Sequence, residues 1–315
     1  MNGTESKIEI FTPFGKAFEL MKKILFQPFE FKKWLVIGFA AWLANLGVGG
    51  AGGGFNYPDN RHEDAQKFNE AIGQIPQPIL ITGICILVCL VLLFIVLFAW
   101  LRARGHFIFV DCIVHNRAAI VQPWKEFRAE GNSFFLFSLI VIFGLIALVV
   151  LGTFGLALPL IIRGPGSRPG SALLIAFCLF LIFVVCVAVM LAVISHLMVP
   201  IMYRQRCSAR LAFAHAMDLV ASHPGPILLY VLFVVVLAIA GGMISCAVVC
   251  ATCCIAAIPY VGSVILLPVS VTLGAFSLLF LRQFGSEYDA WADSIPPEFL
   301  PLLISPPSSS VSDAG

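Results

Sequence analysis

The sequence predicts an all-α fold: a polytopic transmembrane helical bundle of six spans, with amphipathic interfacial helices in a threefold internal repeat. Three observations predict it. The 315 residues are 60% hydrophobic and 11% charged, with mean hydropathy +1.00, whereas soluble domains carry roughly 25% charged residues. Apolar runs near the length of about 20 residues that a helix needs to cross hydrocarbon recur along the chain. These runs are continuous, not alternating, which favours helices over the strands of a barrel. Irregular backbone facing lipid would leave unpaired N–H and C=O groups, so no third option exists. The net charge of +2 sits at membrane edges, and no nucleic-acid partner is expected.

The unit that sets the pattern runs from Ile79 to Phe135. It holds an apolar run from Ile79 to Leu101, then Arg102 and Arg104, an amphipathic stretch from Arg117 to Arg128, and a second apolar run from Phe134. It reads as a crossing, a turn on a basic interfacial segment, and a crossing back.

The elements follow in order. Thr12-Pro13 reads as an N-cap with proline at the first helical position. Phe14, Ala17, Phe18, Met21, Ile24 and Leu25 then share one helical face, with Lys16, Glu19, Lys22 and Lys23 on the other. Such a helix either lies in the lipid interface or packs on the cytoplasmic end of the bundle. Trp34 to Gly54 is the first span. Six lysines and a helical segment precede it, so it reads as a retained span, not a cleavable signal. Its glycine-rich end matches GxGxxG at Gly47, Gly49 and Gly52, but no strand–turn–helix context surrounds it. Helix packing is the expected role there. Phe55 to Pro78 is polar and reads as a surface helix. Ile79 to Leu101 is the second span, Phe134 to Ile162 the third, and Ala172 to Met198 the fourth, closed by Pro200. Arg163 to Ser171 is a Gly/Pro turn. Tyr203 to Pro226 is basic and weakly amphipathic. Ile227 to Cys250 is the fifth span, Thr252 to Gly262 a hairpin turn, and Ser263 to Leu281 the sixth. A Pro/Ser-rich tail from Pro296 is expected to be disordered. The domains are therefore a cytoplasmic segment over residues 1–33, a membrane domain over 34–281 and a cytoplasmic tail over 282–315.

Lysine and arginine counts set the expected orientation. The N-terminal segment, the two internal basic segments and the tail carry fifteen, and the opposite side carries four. Both termini are thus expected in the cytoplasm, with the chain in the plasma membrane. The same counts expose the repeat. A basic segment precedes each odd span, and an arginine ends each even span. Three units start near Phe14, Arg117 and Arg210.

Few residues could carry chemistry. A charge at the centre of a spanning helix costs roughly 2.5–3.5 kcal/mol, so charges found there usually mark function. Here His196 is the one clear ionisable group in a span besides cysteines, and Asn45 is the other strong polar group; packing roles suit both. The basic ends of the even spans place Arg102, Arg104, Arg204, Arg206 and Arg282 at one expected depth. Asp111 shares a face with Arg104 if the helix continues. These five arginines are either ordinary anchors or a lipid-phosphate site, because the guanidinium fork suits phosphate. Cys246, Cys250, Cys253 and Cys254 cluster without histidine or carboxylate support, so no metal site is expected. The other apolar-run cysteines act as small hydrophobes. No hydrolase, zinc-protease or phosphate-loop signature is present, and neither a catalytic residue nor a cofactor is expected.

Phe14-Gly-Lys-Ala-Phe18, Arg102-Ala-Arg-Gly-His-Phe-Ile-Phe-Val-Asp111, Asn116-Arg-Ala-Ala119, Pro123-Trp124 and Gln283-Phe-Gly-Ser-Glu-Tyr288 carry a resemblance. The chain resembles uncharacterised bacterial six-span membrane proteins, which are distantly similar to the membrane domain accompanying some glycerophosphodiester phosphodiesterases. The resemblance implies a helical bundle in a bacterial plasma membrane and transfers no catalytic residue, because the phosphodiesterase barrel is lacking. The expected function is a non-enzymatic role in contact with membrane lipids or other membrane proteins. The alternative is a transporter for a small, weakly charged or amphipathic substrate, which broken helices near Asn45 to Gly54 or Pro259 to Pro268 would favour. A membrane enzyme would need His196, Arg104 and Asp111 in one polar cavity.

Overall fold

The computed structural model describes residues 9–46, 76–163, 171–252 and 258–292. The glycine-rich end of the first expected span, nearly all of the polar segment after it, the Gly/Pro turn, Cys253 and Cys254 and the Pro/Ser-rich tail lie outside the described residues. The described residues are all-helical. They form α1 (Phe11–Phe26), α2 (Phe31–Ala44), α3 (Gln77–Val114), α4 (Val121–Glu126), α5 (Arg128–Arg163), α6 (Ser171–Gln205), α7 (Ala209–Ser222), α8 (Pro224–Ala251), α9 (Pro259–Ile265) and α10 (Leu267–Leu281). Two 3-10 turns, Arg282–Phe284 and Ser286–Tyr288, follow.

Five of these helices are long and apolar enough to cross a bilayer: α3, α5, α6, α8 and the stretch Leu267–Phe284 that contains α10. In the first four, no more than 11% of the most apolar window is buried, against 56% in the fifth. The four therefore project from a packed base, bare along their apolar length. Their surfaces suit hydrocarbon, since bare leucine, isoleucine and phenylalanine at this density would not stay in water. The first expected span is described only as far as Leu46. Its helix α2 has 14 residues, roughly 21 Å at about 1.5 Å per residue.

The base is built from α1, α2, α4, α7, α9 and α10 with the ends of α3, α5 and α6. Its core includes Leu20, Ile24, Leu25, Ile37, Phe107, Ile108, Leu197, Met198, Phe276 and Phe280. Helix α1 starts at Phe11, two residues before the expected first position Pro13, with Ile10 and not Thr12 as its N-cap residue. It packs on α10 through Ala17, Leu20, Met21, Ile24 and Leu25, so the packed alternative is the one adopted. Helix α2 runs beside the last turns of α3, where Gly105 brings the backbones together. A Cβ at 105 would stand 2.6 Å from Ala44 N and Leu43 C. Helix α3 does not stop at Arg102 but continues to Val114, because Phe107, Ile108, Val110 and Ile113 bury in the base. Helix α6 likewise continues through Pro200 to Gln205. The amphipathic stretch after Arg117 is shorter than expected, six residues of α4.

The short helices seat in sequence on the longer ones: α4 on α3, α7 on α6, and α1 on α10. The ends of α3, α6 and α10 also meet. Tyr203 of α6 donates to Asp111 of α3 at 3.1 Å, and Trp291 beyond α10 donates from Nε1 to Val114 O at 3.2 Å.

Candidate functional site

Every described lysine and arginine except Arg163 lies in the base or at its edge, so the polar chemistry gathers there. Asp111 is its best-connected acid, at 1% exposure. Arg117, turned back by the positive φ of Asn116, donates to both Asp111 oxygens at 3.2 Å. His115 Nδ1 lies 2.9 Å from Asp111 Oδ1 and 3.3 Å from the Tyr203 hydroxyl. Three partners, Tyr203 of α6 with His115 and Arg117 of the turn after α3, thus hold one carboxylate, as a buried polar group requires. The Tyr203 ring stacks on Phe127 at 4.7 Å, and the Arg206 guanidinium lies 3.8 Å from the centre of the same Phe127 ring.

A second node surrounds Arg104. Its guanidinium lies 4.5 Å from the Trp100 ring and 4.9 Å from Trp124, and donates to Asn132 Oδ1 at 2.9 Å. Trp100 Nε1 donates to the same oxygen at 3.2 Å. Gly131 leaves room for this, since a Cβ there would stand 3.0 Å from Arg104 Cγ. Arg104 is buried, and its Nε has no hydrogen-bond partner among the described residues. Such a donor costs about 1–3 kcal/mol unless something outside the chain accepts from it. Tryptophan beside arginine at the end of an apolar run is also the pattern of a membrane interface.

The five arginines singled out from the sequence occupy different surroundings. Arg282 is buried and donates to Asp289 Oδ2 at 3.0 Å. Arg206 pairs with Glu126 and lies 3.7 Å from Glu130. Arg102 is half-buried near His106 and His196. Arg204 is half-buried at the end of α6. They are also staggered. Tyr203 meets Asp111, so Arg204 lies past that level, while Arg104 lies two turns before it, roughly 10 Å along the axis. Arg104 and Asp111 engage different partners. Asn45 donates to Ala41 O of its own helix at 2.8 Å, and Cys246 and Cys250 are exposed.

A cleft of about 330 Å³ opens where α2 begins, lined by Glu30, Lys32, Lys33, Val36, Asn116 and Ala118. Lys33 donates to Asn116 Oδ1 at 2.7 Å. Partial burial pulls its ammonium below the usual lysine range, and Glu30 opposes that pull. Among the described residues, no group of three histidine, cysteine or acidic side chains could hold a metal.

Sequence reasoning missed Trp100, Asn132, Tyr203, Arg117, Asp289 and Trp291. Two signals were available: tryptophans flanking Arg104 in sequence, and an arginine–aspartate spacing of seven repeated at Arg282 and Asp289. Nothing among curated proteins or solved structures matches the chain. Residues 9–289, which include the whole base and every bare helix, match a family of unknown function, DUF7544. The chain is a multi-pass membrane protein by its apolar helices, and it belongs to the DUF7544 family of unknown function.

Proposed function

We propose that the chain is a non-enzymatic plasma-membrane protein that engages lipids at its basic end, with both termini in the cytoplasm. One observation carries this reading: four helices project bare and apolar from a base that holds all described lysines and arginines but one. Acyl chains match the bare helices, and anionic headgroups match the base edge. Arg102 and Arg104 stand at that edge, Arg204 and Arg206 lie further into the base, and Arg282 is buried there against Asp289. The bare faces are equally open to spans of other membrane proteins, the second class of partner. The seating of α4 on α3, α7 on α6 and α1 on α10 supports a threefold repeat closing on itself, with α2 as the start of a sixth span.

The test is lipid extraction and mass spectrometry on purified protein. Anionic phospholipid retained by the wild type should drop severalfold in Arg104→Ala and Arg204→Ala. Retention unchanged in both would remove the arginines from the reading.

A second reading, transport of a small amphipathic substrate, is favoured by the break between α9 and α10. Pro268 has no N–H to give Val264 O, and the chain turns at Leu266 with φ −87 and ψ 10. Broken helices often frame transporter sites. Membrane vesicles containing the protein would then take up an amphipathic dye, and Pro268→Ala would abolish uptake. Uptake equal to that of empty vesicles would dismiss transport.

A further inference from the structure

Arg102 and His106 stand four residues apart on α3, so both side chains leave the same face. His196 on α6 reaches about the same height, because the residue seven beyond it, Tyr203, meets Asp111, the residue seven beyond position 104. The Arg102 charge acts on both imidazoles, and His196 acts on His106. His106 also sets its ring edge to Phe134 of α5 at 6.0 Å. Arg102 makes no hydrogen bond or ion pair with any described residue, and no carboxylate among them acts on Arg102, His106 or His196. This is a fixed positive charge with two further nitrogen donors and no counter-ion among the described residues, where the polar base gives way to bare apolar helix. A desolvated charge of this kind is stabilised by an anion that brings its own hydrogen-bond acceptors.

The walls beyond the cluster are apolar. On α3 the residues one, two and three turns further out on the Arg102 face are Phe98, Ile95 and Val91. On α6 the matching residues beyond His196 are Ala192, Val189 and Val185. All six are exposed. We infer that Arg102, His106 and His196 seat the headgroup of one anionic amphiphile, a phosphate or carboxylate on a single alkyl chain, with the chain lying along these two walls. The inference rests on the lipid-engaging reading above, but it assigns a different constellation, one arginine with two histidines, and a defined ligand class.

Full-length protein in neutral detergent should be titrated with dodecyl phosphate and followed by native mass spectrometry. One dodecyl phosphate should bind per chain. Inorganic phosphate and dodecyltrimethylammonium at equal concentration should not, since one lacks the chain and the other the charge. Arg102→Gln should weaken binding about tenfold or more, the loss expected for one charge-assisted contact. His196→Gln should weaken it less. Val189→Trp, remote from the charge, should weaken dodecyl phosphate more than hexyl phosphate, which tests the wall without touching the cluster. Arg104→Ala, outside this cluster, should weaken dodecyl phosphate less than Arg102→Gln does. Wild-type binding in both Arg102→Gln and Val189→Trp would overturn the inference, as would inorganic phosphate binding as well as dodecyl phosphate. Loss in Arg104→Ala with none in Arg102→Gln would move the headgroup to the tryptophan cage, sinking this site while leaving the lipid-engaging reading standing.

Discussion

Asp111 in the base has Arg117, His115 and Tyr203 all turned toward it. Removing it strands a tyrosine hydroxyl in a buried setting and releases the grip of α3 on α6. Arg117 and His115 are about a third exposed, so water recovers part of their loss. Asp111→Ala is therefore expected to cost about 2–3 kcal/mol, below the upper figure for a fully buried pair, read as a lower thermal midpoint in detergent. Arg206→Ala removes a pair whose members are both about 40% exposed, and should cost under about 1 kcal/mol. The sequence shows an arginine and an aspartate seven apart twice, at Arg104 and Asp111 and at Arg282 and Asp289. It does not show that the two spacings mean different things. Helix α3 continues as helix past Arg104 to Val114, so its aspartate ends two turns away and pairs with Arg117. After Arg282 the chain bends through two 3-10 turns at Gly285, φ 136, and folds its aspartate back onto the arginine. Backbone curvature beyond a span is decided by what the next residues bury against, and apolar patterning alone does not carry that.

Single elements were legible where one face differs from the other. The buried stripe of α1 coincides largely with the face read from Ala17, Met21, Ile24 and Leu25. The ends of α3 and α6 were not legible, because a hydropathy window closes at the first arginines or at a proline. Phe107, Ile108 and Val110, which extend α3, read as ordinary loop-edge residues until α2 is seen beside them. That docking depends on Gly105. With Ala44 N and Leu43 C 2.6 Å from where a Cβ would sit, Gly105→Ala forces the two backbones apart, and no side chain can rotate to relieve it. Overpacked sites of this kind lose about 1–3 kcal/mol. Its specific mark should be faster trypsin cleavage at Lys32 and Lys33, which lie where α2 begins, with cleavage at Lys125 unchanged. Equal cleavage at all three would mean that α2 does not depend on the close approach.

For the whole molecule, composition and the length of the apolar runs were enough to reach an all-helical membrane protein. They were silent on the division into a packed base and bare projecting helices. The stretch containing α10 is apolar enough to cross a bilayer, though less so than the projecting spans, and α10 sits inside the base, with Gly274 against Phe109 and Ile113 of α3. Apolar sequence is compatible with burial in protein or in lipid, and only the packing partner tells them apart. The charge distribution supplies the missing direction. With the lysine and arginine excess fifteen to four on one side of the expected topology, the orientation proposed above, with the base in the cytoplasm, is the one the positive-inside bias favours. Reporter insertions follow from this. Alkaline phosphatase inserted at Asp64 should be active in intact cells, because that segment precedes the far end of α3. The same insertion at Lys125, in the base on α4, should be inactive, and a cytoplasm-dependent fluorescent protein there should be bright. Substituting Lys32, Lys33, Arg102 and Arg104 with glutamine should weaken this asymmetry without altering the apolar runs, so both reporters should become partly active. An active phosphatase at Lys125 with a silent one at Asp64 would invert the molecule and place the tryptophan cage and the Asp111 cluster on the outer face, where cytoplasmic anionic lipid could not reach them.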